Sequence, residues 1–242
     1  MSTGKKIFRG AFNYFRGNYL FGEESFEVFK DEKDMSLTFV SELLSRAQTG
    51  ELLKINCTYT MNKDFNPSHV LIQRTLGTKT ATEEFTIKSN NMKYFLRSGD
   101  DVVERDLTTP PKFFIAAPVT GGSLMFIPQK KMDASNKTFY TIFVSHNTWE
   151  FSKEIESTSI VIEKVGLTSE KITIDGQEVD ATRYRFYDQE EMSQLMKTKK
   201  EAATPNYLLL FMSKHLAIPY VVENKDGTKI KVKYLNDLGD KN

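Results

Sequence analysis

Few residues in this chain have the types and spacing that chemistry needs, and most of those arrangements argue against themselves. Ser145 and His146 are adjacent, which suggests a nucleophile beside an imidazole base. Neighbours in a strand point to opposite faces, so that pair would not share a hydrogen bond. His69, His146 and His215 are widely separated and fall in no H-x-x-x-H or Cys/His spacing; no metal site is expected. Cys57 is the single cysteine, so no intramolecular disulfide is possible, and it reads as a small buried hydrophobe rather than a nucleophile. There is no G-x-S-x-G elbow, P-loop or G-x-G-x-x-G. Gly121-Gly122 is not enough to cradle a phosphate, and no cofactor is expected.

One carboxylate stands out. Across 20–30, Leu20, Gly22, Phe26 and Val28 share one parity while Glu23, Ser25 and Glu27 share the other. Glu24 falls with the apolar set. A carboxylate on that side has to be paired, be protonated, or meet water in a cavity. Arg9 and Arg16 on the preceding segment are the expected partners; a bulge at Gly22 that turns Glu24 to solvent is the alternative. Read functionally, Glu24 is a polar anchor in a ligand cavity. Tyr14, Phe26, Phe39, Tyr59, Phe114, Phe126 and Trp149 are then its candidate lining, with Tyr94 a further aromatic of the same kind.

The elements that position these residues are mostly strands. Period-two alternation of apolar and polar side chains, the signature of a half-buried strand, recurs at 7–15, 20–30, 35–44, 52–61, 70–76, 83–88, 92–97 and 102–107. Met35, Leu37, Phe39 and Leu43 are assigned to one face of the third segment. Residues 16–19 suit a hairpin turn and 62–68 a loop. Further strands are expected at 138–144, 157–163, 171–174, 178–187, 207–212, 218–223 and 229–235. Asp175-Gly176 and Asp226-Gly227 act as turns. A helix is expected over 188–203, capped by Asp188, with Glu190 and Glu191 in its first turn and Met192, Leu195 and Met196 as its apolar stripe. The stretch 109–128 breaks the rhythm. Its prolines at 110, 111, 118 and 128 argue for an apolar loop with short helical turns, packed under the sheet or closing an opening as a lid or plug.

The fold expected is mainly β with minor α: a single domain over 1–242, formed by a large curved antiparallel sheet or half-barrel that wraps a short helix and an apolar loop. Eighteen Phe and ten Tyr against one Trp supply an aromatic core. A net charge of +1 with interspersed signs gives no basic stripe for nucleic acid. The run Lys197, Lys199 and Lys200 reads as a solvated helix end. The most apolar stretch, 207–212, is far too short to span a membrane. Arg9, Asn13 and Arg16 interrupt any leader-like apolar run, so a cytoplasmic location is expected, or a periplasmic one for a chain that has lost a leader.

Gly22-Glu23-Glu24-Ser25-Phe26-Glu27-Val28, preceded by Phe12-Asn13-Tyr14, resembles the G-x-E-x-F/Y-x-V start of the DUF3108-like bacterial proteins of unknown function. Pro219, then Lys225-Asp226-Gly227-Thr228 and a final strand, is similar to the end of that group. The group resembles the LolA/LppX lipoprotein-carrier fold, a strongly curved antiparallel sheet around helices or an apolar ligand. The sheet also resembles small β enzymes of secondary metabolism, from which no catalytic residue carries over. The function expected is non-catalytic binding of a hydrophobic or lipid-like small molecule on the concave face. A small-molecule isomerase, cyclase or hydrolase using the same cavity is one alternative, and a structural or interaction protein is another.

Overall fold

The computed structural model describes residues 4–47, 50–120, 135–145, 155–174, 176–191, 193, 206–213 and 218–239. Strands make up 76% of it and helix 3%, so the sheet itself must supply the core. Eight strands meander through the first half: β1 (Lys5–Arg16), β2 (Tyr19–Lys30), β3 (Leu37–Arg46), β4 (Leu52–Met61), β5 (Pro67–Leu76), β6 (Lys79–Lys88), β7 (Asn91–Ser98) and β8 (Asp101–Thr108). The second half holds β9 (Phe113–Ala116), β10 (Lys137–Val144), β11 (Glu156–Ile174), β12 (Gln177–Asp188), β13 (Tyr207–Ser213), β14 (Pro219–Asn224) and β15 (Thr228–Asp237).

All fifteen form one sheet in the order β8-β7-β6-β5-β4-β3-β2-β1-β15-β14-β13-β12-β11-β10-β9. Strand β1 is central and pairs with both β2 and β15, so the two halves of the chain grow outward in opposite directions. Every pairing is antiparallel except that of β9 with β10, which is parallel; the long connection between them permits it. The sheet is curved and unclosed. It nevertheless returns on itself, because β9, at one edge, lies against β5 rather than beside the other edge, β8. The result is a spiral with β9 inside the turn.

The alternating pattern explains which face turns inward. Phe12, Phe26 and Phe39 come from three neighbouring strands and stack with ring centroids 5.0 Å apart at each step. Gly10 sits opposite Phe26, and a Cβ there would come within 2.5 Å of the Phe26 ring; the missing side chain makes room for the stack. The outer face carries cross-strand ion pairs such as Lys54–Glu42 at 2.6 Å and Lys6–Glu27 at 2.6 Å. Edge strand β8 bears Asp101, Glu104, Arg105 and Asp106, charges that discourage edge-to-edge pairing.

Several expectations change. Residues 157–163 and 171–174 belong to one long strand, β11, whose interruption is a bulge: residues 166–169 face the single Thr182. Residues 113–116 of the proline-rich stretch form a strand rather than loop. Pro110, Pro111 and Pro118 flank that strand without entering it, so the ladder loses no donor inside it. Met35 does not share the apolar face of β3; it precedes the strand, exposed, in the left-handed region at φ 60. Leu20 leaves the inward set, because a bulge at Phe21 pairs it with Phe15 of the outer face, and it is 43% exposed at the hairpin end. Asp188 does accept hydrogen bonds from the backbone N–H groups of Glu190 and Glu191 at 2.8 and 2.9 Å, the geometry of a helix cap. Most of 188–203 lies outside the described residues.

Candidate functional site

Strands of the first half present polar side chains to an otherwise apolar interior, and they meet the inward-turned edge of the sheet in three contacts. Glu24 on β2 is 0% exposed. The register places it between Phe12 on β1 and Leu43 on β3, so the backbone holds it inward despite a bulge on β2 at Phe21, beside Gly22. Its Oε2 accepts hydrogen bonds from the Tyr14 hydroxyl and from the Thr120 backbone N–H, the latter at 2.9 Å. Tyr14 Oη is 2.6 Å from Thr120 Oγ1 and accepts from the Thr120 N–H at 3.2 Å. The expected partners Arg9 and Arg16 are both exposed; the inserted 113–120 segment bonds the carboxylate at Oε2 instead. Burial, then the charge and hydrogen bond of Glu24, push the Tyr14 phenol well above its ordinary value.

Tyr59 on β4 forms the second contact. Its hydroxyl donates to the Ile115 carbonyl at 3.2 Å and accepts from the Ile115 N–H at 3.3 Å. An edge strand thus finds hydrogen-bonding partners in a side chain on the facing wall. Burial raises the Tyr59 phenol as well, against the opposing effect of the Ile115 bond.

The third contact joins β5, β6 and the end of β10. Arg74 and Glu83 are 1% and 0% exposed and pair at 2.8 Å through Nη2 and Oε2. Ser145 Oγ donates to the same Glu83 oxygen at 2.6 Å and accepts from Arg74 Nη2 at 2.7 Å. Tyr94 donates to the other Glu83 oxygen at 3.2 Å. The Ser145 N–H reaches back to the Ala116 carbonyl at 3.0 Å. Cys57 lies between the clusters. Burial, then Glu24, drives its thiol well above the ordinary range while Arg74 opposes them, so little thiolate forms.

The structure brings Glu24, Tyr14, Phe26, Phe39, Tyr59 and Phe114 into one buried cluster. Phe126 and Trp149 lie outside the described residues, as does His146. Sequence reasoning passed over Arg74, Glu83 and Thr120, and placed Ser145 only beside His146. The first two carried the same signal as Glu24. Arg74 shares the parity of Val70, Ile72 and Leu76, and Glu83 that of Ala81 and Phe85, all buried. Thr120 and Ser145 carried none, because only the rolling of the sheet brings them to their partners. Chemically the interior presents a carboxylate, a buried ion pair and phenols among packed aromatic and aliphatic side chains. Among the described residues no three His, Cys, Asp or Glu side chains gather as a metal centre would require, and no helix is long and apolar enough to cross a membrane.

No family model matches the chain, and no curated protein does. Among solved structures, the chain is similar to a β-barrel-like protein of domain of unknown function DUF1849 from Brucella abortus. That likeness has a TM-score of 0.58 at 11% identity, over 98% of this chain and 100% of the other. A DUF1089-family protein from Pseudomonas aeruginosa is similar with a TM-score of 0.49 at 9% identity, over 85% and 90% of the two chains. The first likeness is one of fold: a large curved β-sheet.

Proposed function

We propose that the concave face binds a hydrophobic or lipid-like small molecule without transforming it, and that the 113–120 segment is a plug that the ligand displaces. The observation that carries this reading is how the segment is held. Phe113, Phe114, Ile115 and Val119 fill an aromatic interior, yet the segment pairs with strand β10 alone. Among the described residues, the hydrogen bonds that hold it across the turn of the spiral are made to side chains, those of Tyr14, Glu24 and Tyr59. Apolar contacts are non-directional and roughly proportional to area. A ligand of similar apolar area can therefore replace the segment's side chains at small net change, while the freed backbone groups return to water. The resemblance of Gly22–Val28 to proteins with a lipoprotein-carrier-like fold supports the same reading.

Organic extraction of freshly purified protein followed by mass spectrometry, together with titration by the neutral fluorophore N-phenyl-1-naphthylamine, tests the proposal. The expected result is a co-purifying apolar compound, or saturable uptake of the fluorophore near one per chain. Failure of both, in the native protein and in a Tyr59→Phe variant with a loosened plug, would overturn it.

A further inference from the structure

The long β11–β12 hairpin outlasts its neighbour. Strand β10 pairs with β11 only through Glu163, and beyond that point β11 has β12 alone as a partner. The bulge at 166–169, with Gly166 at φ +84, bends the hairpin, and Arg183–Glu170 at 3.2 Å ties it across. Past the bulge, residues 172–174 form the roof of a groove whose floor is the outer face of β13, β14, β15 and β1. Roof and floor enclose a groove of about 530 Å³, within the range of small-ligand sites.

Its floor departs from the charged outer face elsewhere. Phe211, Val221, Lys231 and Asn13 are successive cross-strand neighbours on that face, and Phe15 and Ile172 add apolar surface. Lys229, Lys231 and Lys233 also line the groove. Lys229 is bound to Glu223 and Lys233 to Glu23. Lys231, between them, stands 6.0 Å over the Phe15 ring and has no carboxylate partner among the described residues.

We propose that this groove is a second site, separate from the concave interior, for a single-chain amphipathic anion: the apolar body lies along Phe15, Phe211 and Val221, and the anionic head meets Lys231. An apolar floor favours burial of a chain, and an ammonium without a carboxylate partner among the described residues favours an anion over a neutral head.

Isothermal titration with decanoate, decyl phosphate and decanol, each below its aggregation threshold, tests this on the native chain and on Lys231→Met. The substitution keeps the apolar stem at an exposed position, and circular dichroism checks that the fold is retained. Both anions are expected to bind the native chain about fivefold or more tighter than decanol, with the preference shrinking in high salt. Lys231→Met should bring the anions down to the level of decanol. If one anion alone binds in this Lys231-dependent way, the head is identified as a carboxylate or a phosphate and the site stands. If neither anion binds, or Lys231→Met binds both like the native chain, the proposal falls. Anion binding that changes with Tyr59→Phe but not with Lys231→Met belongs to the interior and also overturns it.

Discussion

At Glu24 and at Arg74–Glu83 the expense of dehydrating charge is offset by specific donors, and removing either side exposes what each arrangement contributes. Glu24→Leu removes the acceptor shared by the Thr120 N–H and the Tyr14 hydroxyl and leaves those two groups only each other, a loss of about 2 kcal/mol. Glu24→Gln keeps an acceptor oxygen and is expected to lose about 1 kcal/mol. Urea unfolding of the two variants checks that order, and equal losses would contradict it. Arg74→Met strands the Glu83 carboxylate and is expected to cost about 3–5 kcal/mol. The double variant Arg74→Met/Glu83→Leu removes both charges, and should recover part of that loss in the same assay. Without such recovery, the pair would be acting through packing rather than charge. The inward direction of Glu24 was legible in the sequence because side-chain parity in a strand is geometric. Its partners were not legible: Thr120 is 96 residues away, and no local pattern encodes a contact made by curling a sheet.

Among the elements, the plug strand β9 is the one whose attachment is most easily tuned. Tyr59→Phe preserves the ring and removes the hydroxyl that bonds both the N–H and the carbonyl of Ile115. A loss of about 1 kcal/mol at the plug raises the open fraction roughly fivefold. Because the apparent dissociation constant scales inversely with the competent fraction, the fluorophore is expected to bind Tyr59→Phe about fivefold more tightly than the native chain. Unchanged or weaker binding would mean that Tyr59 does not restrain the plug. The strands of the meander were readable because each has one polar and one apolar face. Strand β9 was not, because three of its four residues are buried and the fourth is half-buried. Such a short run, bracketed by prolines, lacks the alternation that marks a strand. The break between 163 and 171 misled for the opposite reason: a bulge suspends alternation without ending the strand.

For the whole molecule, an aromatic interior has a consequence for alkaline stability. Burial raises the phenols of Tyr14, Tyr59, Tyr94 and Tyr184, and lifts Tyr140 to about 12. A group whose folded value is raised contributes stability that is fully present below the unfolded value near 10. It is lost as the pH climbs from there toward the folded value. Stability is therefore expected to fall above about pH 10, by up to about 1.4 kcal/mol per pH unit for each such tyrosine. Tyrosinate absorbance for these five should rise together with loss of the β signal in circular dichroism. Ionisation of all ten tyrosines with the sheet intact would contradict this. In that aromatic interior the proposed apolar ligand and the plug compete for one space. Native-state hydrogen exchange with and without saturating N-phenyl-1-naphthylamine tests it most directly. The Ile115 and Thr120 amides are expected to lose protection when the ligand binds, while the amides of β2 to β5 keep theirs. Protection at Ile115 and Thr120 that stays at the global limit, with ligand bound, would contradict it.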